Sequence, residues 1–220
     1  MSALIQKLKA VNFKEDFINF PLYIISRPFK GFGDLKYENR GSPYFAFAMM
    51  VLLCLFNICD STYKGFIITG YYSENMVVNT PYVLIMTIAP VILFVLGNWS
   101  VTTITNGSGS LKQIFMVYAY ASFPKLILDV IGLVLSNVVT AEEAAFSTFF
   151  YAFGTVAFML YLFIGLVMIH EYTFTKSLLM VILTILAMCI IVFVLSLFIT
   201  LTNEVFVFFS TVFKEIAMRF

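Results

Sequence analysis

The stretch from Gln113 to Val138 constrains this chain most, because it is long and apolar enough to cross a bilayer and yet carries charge at its centre. A helix of about 20 residues spans the hydrocarbon core. Pro124 and Lys125 lie in the middle of the stretch, and Asp129 follows four residues after the lysine. An ionisable residue at that depth is costly and normally faces protein, water or a partner charge. We therefore predict that this stretch forms the centre of a membrane-embedded helical bundle.

The composition excludes a soluble globular protein. Hydrophobic residues make up 61% of the chain and charged residues 11%, whereas soluble domains carry about 25% charged residues. The formal net charge of +1 provides no field that attracts nucleic acid. The three cysteines lie in apolar runs without a C-x-x-C spacing, which predicts buried free thiols rather than a disulfide or a metal site. We expect no cofactor.

Four further apolar stretches are long enough to span, although the first, at about 16 residues, is near the short limit. Pro90 lies midway along the second stretch, where a proline kinks a helix, and Trp99 ends it as a membrane-interface aromatic. The sequence therefore predicts an all-α integral membrane protein, a five-transmembrane-helix bundle with amphipathic N-terminal and C-terminal segments. The predicted spans are Tyr44–Cys59, Pro81–Trp99, Gln113–Val138, Phe146–Ile169 and Ser177–Thr202.

The N-terminal segment, residues 1–42, is basic, with seven Lys and Arg residues against four Asp and Glu residues. Apolar side chains in residues 4–11 recur at helical spacing, which indicates either a short membrane-surface helix or a solvated, fraying tail. Prolines and glycines break the following aromatic–basic stretch into short pieces. We interpret it as an interfacial elbow that anchors to lipid headgroups or, alternatively, to a protein partner. Its predicted contact residues are Arg27, Phe29, Lys30, Phe32, Lys36 and Arg40, with Phe29 and Phe32 directed inward together with Leu35.

The C-terminal tail after Asn203 also repeats apolar side chains at helical spacing, with charged residues on the other face. This pattern predicts an amphipathic helix that lies on the membrane or in a partner groove, with Phe209 and Phe213 in contact. The predicted organisation is therefore an interfacial segment (1–42), a membrane domain (43–202) and an amphipathic C-terminal helix (203–220).

Two motifs that suggest chemistry are incomplete. Gly107-Ser108-Gly109 has the spacing of a phosphate-binding loop, but no soluble strand precedes it and no Gly-Lys-Ser/Thr follows. His170-Glu171 begins the zinc signature H-E-x-x-H, but position 174 is Phe174 and His170 is the sole histidine. We therefore predict no metal site and no catalytic residue, and we favour a membrane-surface turn at His170.

The charge distribution predicts the orientation. With the N-terminus inside, inner segments hold nine basic residues and outer segments three, while Lys125 lies in the membrane. Because basic residues accumulate on the cytoplasmic side, this asymmetry predicts a cytoplasmic N-terminus and an outer C-terminus in the plasma membrane.

Several motifs in a fixed order resemble one family. SRPFKGFGDLKYENRGS precedes five spans, GNW leads into the polar turn before the third span, and HEY follows the fourth. Over residues 20–202 the chain resembles the Yip1 domain family in its short bacterial form. The resemblance implies five spans and a cytoplasmic N-terminus. Eukaryotic relatives bind Rab-type GTPases and shape vesicle membranes, but this chain lacks their long N-terminal region, and the family offers no catalytic residues to transfer.

The sequence is compatible with two functions. The first is a non-enzymatic adaptor or scaffold that binds other membrane proteins or organises lipid, which the amphipathic ends suggest. The second is a small permease or an accessory subunit of a transporter, because Pro90 and Pro124 interrupt consecutive spans beside charge. Lys125 and Asp129 share one helix face and can pair, so a structural pair and a role in binding or conduction both stay open.

Overall fold

The structure is a computed structural model that describes residues 14–69 and 78–219, with the side chain of Phe66 outside that description. A π-helical turn, Glu15–Asn19, leads into helices α1 (Phe20–Ser26) and α2 (Pro28–Tyr37). The five long helices are α3, α5, α6, α7 and α8, and a short helix, α4, follows α3. Their bounds are Pro43–Tyr63 for α3, Phe66–Thr69 for α4, Thr80–Ile104 for α5, Leu111–Ser136 for α6, Ala144–His170 for α7 and Phe174–Arg219 for α8.

All five long helices are long and apolar enough to cross a membrane, so the predicted all-α membrane fold is confirmed. Helices suit this setting because hydrocarbon offers no partner to an unpaired backbone group. Local signals place their starts. Pro43 is the first residue of α3 after Ser42, and Ser110 and Gln113 form a capping box at α6. The surface helix proposed for residues 4–11 lies outside the described residues.

The helices alternate in direction, which gives the bundle two ends. Asn137 at the end of α6 donates a hydrogen bond to the Tyr63 carbonyl at the end of α3, at 2.9 Å. Lys36 in α2 reaches Glu171 between α7 and α8 at the opposite end, at 2.8 Å. We call these the Asp60 end and the Glu171 end. Among the described residues, α3 and α8 both begin at the Glu171 end and run toward the Asp60 end.

Helix α6 is the centre of the bundle. Half of its most apolar window is buried, whereas the corresponding share in the other four spans is 11–22%. Its most extensive neighbour is α7, and glycines allow the close approach. A methyl group added at Gly165 collides with Val117 and approaches Phe32, and one added at Gly154 lies 3.0 Å from an oxygen of Asp129. The central role predicted for this stretch thus follows from its packing.

The N-terminal elbow differs from its prediction in three side chains. Phe32 and Leu35 are buried in the core, but Phe29 is 59% exposed and does not dip inward. Since Phe32 packs inside the bundle, it is not available as an interfacial residue. Lys36 does not reach outward either, because its ammonium pairs with Glu171. Phe29 and Phe32 lie on the same face of α2, but Phe29 stands at its N-terminal end, and the buried part of the helix begins at Gly31.

The C-terminal half of α8 is not a separate helix. The predicted boundary at Asn203 lies inside one continuous helix of 46 residues, which at about 1.5 Å per residue is about 69 Å long. Asn203 and Glu204 are helix-compatible residues, and no proline or glycine breaks the chain there. α8 packs against α5 near its start, and from Val192 onward nearly every described side chain is exposed. Trp99 likewise lies within α5, which continues to Ile104.

Candidate functional site

Two groups of polar side chains are candidate sites. One lies at the Glu171 end and the other lies inside the bundle. The first, the Glu171 cluster, draws on four separate parts of the chain. Its members are Lys36, Tyr37, Asn98, Ser108, Gly109, His170, Glu171 and Tyr172.

Glu171 joins the elbow to the spans. Its carboxylate accepts a hydrogen bond from the Tyr37 hydroxyl at 2.5 Å and pairs with the Lys36 ammonium at 2.8 Å. Lys36 also donates to the Ser108 hydroxyl at 2.6 Å. The hydrogen bond from Lys36 has the largest effect in lowering the pKa of Glu171 below its ordinary value, and the bond from Tyr37 adds to it. The same bond to Glu171 raises the pKa of Tyr37. Two mutually supporting donors therefore hold this carboxylate in its charged form.

His170 is buried next to Glu171, and both of its ring nitrogens make hydrogen bonds. The Gly109 amide donates to its Nδ1 at 3.3 Å, and its Nε2 lies 3.0 Å from Oδ1 of Asn98. Because Nδ1 accepts a hydrogen bond, the proton belongs on Nε2, which donates to Asn98. The Asn98 amide in turn donates to Thr184 at 3.1 Å. The chain does turn after His170, as the sequence predicts, but the histidine side chain is 3% exposed and does not lie at the surface.

The Gly-x-Gly turn has a packing explanation. A methyl group at Gly107 would lie 2.6 Å from the Tyr172 hydroxyl, and one at Gly109 would lie 2.6 Å from the His170 ring. Both glycines thus let the turn close over the two rings, which stack with centroids 5.4 Å apart. A sole histidine opposite a Gly-x-Gly turn was the signal available in the sequence, and only the fold shows that the two meet.

The Glu171 cluster assembles the motifs that the sequence analysis singled out. GDLKY supplies Lys36 and Tyr37, GNW supplies Asn98, and HEY supplies the residues from His170 to Tyr172. A sequence profile of the Yip1 domain matches residues 22–206, most of the chain. The chain belongs to the Yip1 domain family. No curated protein and no solved structure matches it.

The second site in this Yip1 domain is the intramembrane charge pair. Lys125 donates to Oδ2 of Asp129 within one turn of α6. Asp129 is 4% exposed, and its Oδ1 is buried without a hydrogen-bond partner among the described residues. That oxygen lies against Gly154, where any side chain would crowd it. A buried carboxylate oxygen with no donor is costly, so the pairing with Lys125 is the main compensation that the described residues provide.

A cavity of about 180 Å³ opens beside the pair, between α3, α5 and α6, with Phe158 of α7 at its side. We call it the polar cavity. Asn57 donates to Thr87 across it at 2.9 Å, and Pro90 leaves the carbonyl of Met86 without its helical donor. Its lining consists of Leu53, Phe56, Asn57, Met86, Thr87, Pro90, Val91, Tyr118, Ser122, Lys125, Asp129 and Phe158. The predicted residues Pro90, Lys125 and Asp129 therefore meet at one place.

A polar column extends from the pair toward the Asp60 end. The Tyr151 hydroxyl donates to Asp60 at 2.6 Å, and Lys64 pairs with Asp60 at 3.2 Å. Lys64 also lies over the Tyr151 ring, 4.3 Å from its centroid. A methyl group on Gly132, three residues after Asp129, would meet that ring at 2.9 Å. The column thus lies on the Asp60 side of the charge pair and does not line the polar cavity, an arrangement that no local sequence pattern indicates.

The remaining predicted contact residues stay apart from both sites. Arg27, Phe29 and Lys30 are exposed on the elbow, while Arg40 contacts Asp34 at 3.6 Å. Trp99 is 42% exposed on α5, and Phe209 and Phe213 are 53% and 69% exposed on the free half of α8. In the described part of the chain no group of three or more His, Cys, Asp and Glu side chains could hold a metal ion.

Proposed function

We propose that this Yip1 domain protein is a non-enzymatic membrane adaptor that binds other integral membrane proteins. The observation that carries the proposal is the free half of α8, which extends beyond the bundle as an apolar helix. Twenty residues of helix cross the hydrocarbon core, and α8 has 46. α8 is therefore longer than one crossing requires, and its C-terminal part extends past the helices against which it packs.

The composition of the free half supports a protein partner over lipid alone. Aromatic side chains are enriched in protein interfaces, and this segment exposes Phe206, Phe208, Phe209 and Phe213 within eight residues. Phe206, Phe209 and Phe213 lie three or four positions apart, so they form one exposed aromatic stripe along α8. An exposed stripe of this kind suits the apolar face of a second membrane protein.

The Glu171 end provides a second contact surface. Phe29 and Tyr37 are 59% and 64% exposed there, and Arg27 and Lys30 are exposed beside them. Basic side chains near a membrane surface attract anionic lipid, by about 1 kcal/mol each. Because Lys36 and Tyr37 attach α2 to the bundle through Glu171, the elbow is held in place as a lipid-contacting platform. We place it on the cytoplasmic side of the plasma membrane, with the C-terminus outside.

Photo-crosslinking in native membranes tests the adaptor function. A photoreactive amino acid at Phe209 should give a discrete protein adduct, and the same partner should co-purify in mild detergent. The matched control is Phe149, a similarly exposed phenylalanine of α7, which faces lipid and should give no discrete adduct. With the photoreactive amino acid kept at Phe209, Phe206→Glu combined with Phe213→Glu should remove both the adduct and the co-purified partner. Thr211→Glu, at an exposed position on the opposite face of α8, should retain them. Lipid adducts alone at Phe209 contradict the proposal.

The polar cavity favours a second candidate function, a small permease or accessory subunit of a transporter. Discontinuous or proline-broken helices around mid-membrane polar groups are typical of transporter sites, and Pro90 lies beside Lys125 here. Five spans do not divide into two equal repeats, which favours an accessory role over a complete permease. Co-purification of a transporter with the chain would support this candidate.

A further inference from the structure

The polar cavity has hydrogen-bonding capacity that the protein does not use. The Lys125 ammonium carries three N–H donors, and among the described residues Asp129 alone accepts from it. The Lys125 side chain is 29% exposed, whereas that of Asp129 is 6% exposed. The cation is therefore the more open member of the pair, whereas Asp129, which also lines the cavity, packs its Oδ1 against Gly154 of α7.

The other polar groups of the cavity can complete a small site. Asn57 uses one amide N–H on Thr87, which leaves its second N–H for a ligand. Tyr118 places its ring on the cavity wall. A space of about 180 Å³ corresponds to about six waters at about 30 Å³ each. It is too small for a lipid headgroup with its glycerol and fits a solute of a few heavy atoms.

The position of the cavity gives a route for such a solute. Thr87 lies seven residues from the start of α5 at Thr80, or about 10 Å along the helix. Asn57 lies six residues before the end of α3 at Tyr63. Thr87 and Asn57 therefore lie on the Asp60 side of mid-depth, whereas Pro90 and Lys125 lie close to the middle of α5 and α6. Asp60, Lys64 and Tyr151 add the polar column on that side.

We propose that the polar cavity is a binding site for a small monoanion of carboxylate size, held by the free N–H groups of Lys125 and the amide of Asn57. The anion enters from the aqueous phase at the Asp60 end. Asp129 directs the lysine through its Oδ2, while its Oδ1 lies against Gly154. This site goes beyond the adaptor function and does not depend on it.

Thiol labelling in lipid nanodiscs, where both faces are open to reagent, tests the site. The three native cysteines are replaced by alanine, and Leu53→Cys places a thiol on the cavity wall without removing a polar group. Leu52→Cys is the matched control, since Leu52 is the neighbouring residue of α3 and is 48% exposed outside the cavity. Thiosulfonate reagents need a thiolate in water, so only Leu53→Cys should react quickly.

The charge of the reagent tests the ligand class. With rates normalised to the unfolded protein, an anionic reagent should react with Leu53→Cys about tenfold faster than a cationic one, equivalent to about 1.4 kcal/mol. Lys125→Gln combined with Asp129→Asn should abolish that preference in protein that remains monodisperse. If this pair of changes prevents folding, the protection experiment with the intact pair decides.

Protection by added anions completes the test. Sodium acetate should slow labelling of Leu53→Cys, whereas sodium gluconate at equal ionic strength, which exceeds the cavity, should not. Labelling no faster than at Leu52→Cys means a dry cavity and overturns the proposal. Fast labelling without charge preference and without acetate protection means that the cavity holds water alone, which overturns it as well.

Discussion

The Lys36 ammonium lies 2.8 Å from the Glu171 carboxylate, and this one contact ties the N-terminal elbow to the turn between the last two spans. Glu171 has φ 56°, a left-handed conformation that costs a non-glycine residue about 1–2 kcal/mol. The bonds from Lys36 and Tyr37 offset that cost and aim the carboxylate at α2. The elbow is thus held by directed polar contacts in addition to the burial of Phe32.

The Glu171 contact should depend on pH in a defined direction. Because the folded pKa of Glu171 is lowered from 4.5, its stabilising contribution is present above about pH 4.5 and is lost as the pH falls through the folded pKa. The difference in thermal midpoint between wild type and Glu171→Gln should be constant from pH 5 to 7 and shrink below. Glu142→Gln, an exposed control, should show no such difference. A constant gap down to pH 3 contradicts the assignment.

The close approach of the glycine turn to His170 should be sensitive to a single methyl group. Gly109→Ala puts a Cβ at 2.6 Å from the ring, so the free energy of unfolding should fall by about 1–3 kcal/mol, as for overpacking in a core. Gly33→Ala is the control, since its Cβ meets the flexible Met168 side chain at 3.4 Å. Chemical denaturation of both variants in the same detergent measures the difference. Equal stability of the two variants would refute the packing explanation.

The helices were predictable from the sequence because hydrophobic length alone decides which segments span. The predicted starts of the third and fourth spans, Gln113 and Phe146, lie two residues from the observed starts Leu111 and Ala144. The end of the last span was not predictable in the same way. Polar residues at 203 and 204 suggest a boundary, but helical hydrogen bonding tolerates them, and α8 continues to Arg219.

The two sites were predictable only in part, for a physical reason. Lys125 and Asp129 lie on one helix, so their i, i+4 spacing predicts the contact that α6 makes. Lys36, Asn98 and His170 come from three elements, and their meeting depends on packing angles that no local pattern contains. The exposed position of Phe29 depends in the same way on how much of α2 the bundle covers, since burial begins only at Gly31.

The membrane topology that the basic asymmetry predicts is testable with the structure as a guide. Single cysteines at Ala141 and Thr175 in a cysteine-free background report on the two ends of α7, because they lie just outside Ala144–His170. An impermeant thiol reagent applied to intact cells should label Ala141→Cys and not Thr175→Cys. Labelling of both after permeabilisation is the control. The reverse pattern would invert the N-inside orientation and place the elbow outside.

Substitutions of Lys125 and Asp129 should have coupled effects on stability, because each residue compensates the charge of the other. Lys125→Ala leaves the buried Asp129 carboxylate without its donor, and Asp129→Ala leaves the ammonium without its partner. Breaking a buried pair on one side costs about 3–5 kcal/mol, so each single variant should unfold at lower denaturant concentration. Replacing both residues with Leu removes both charges and should restore folding, since isosteric apolar replacement of a buried pair is often neutral.

The folded double variant then separates a structural pair from a binding site. If it unfolds like the wild type and retains its partner in mild-detergent purification, the pair is not needed for the adaptor function. The same protein should lose the acetate protection of Leu53→Cys, because the anion site requires the Lys125 ammonium that faces the polar cavity. Val130→Leu, at a neighbouring exposed position of α6, is the matched control and should retain both properties. Acetate protection that survives without the lysine would assign the pair a structural role alone.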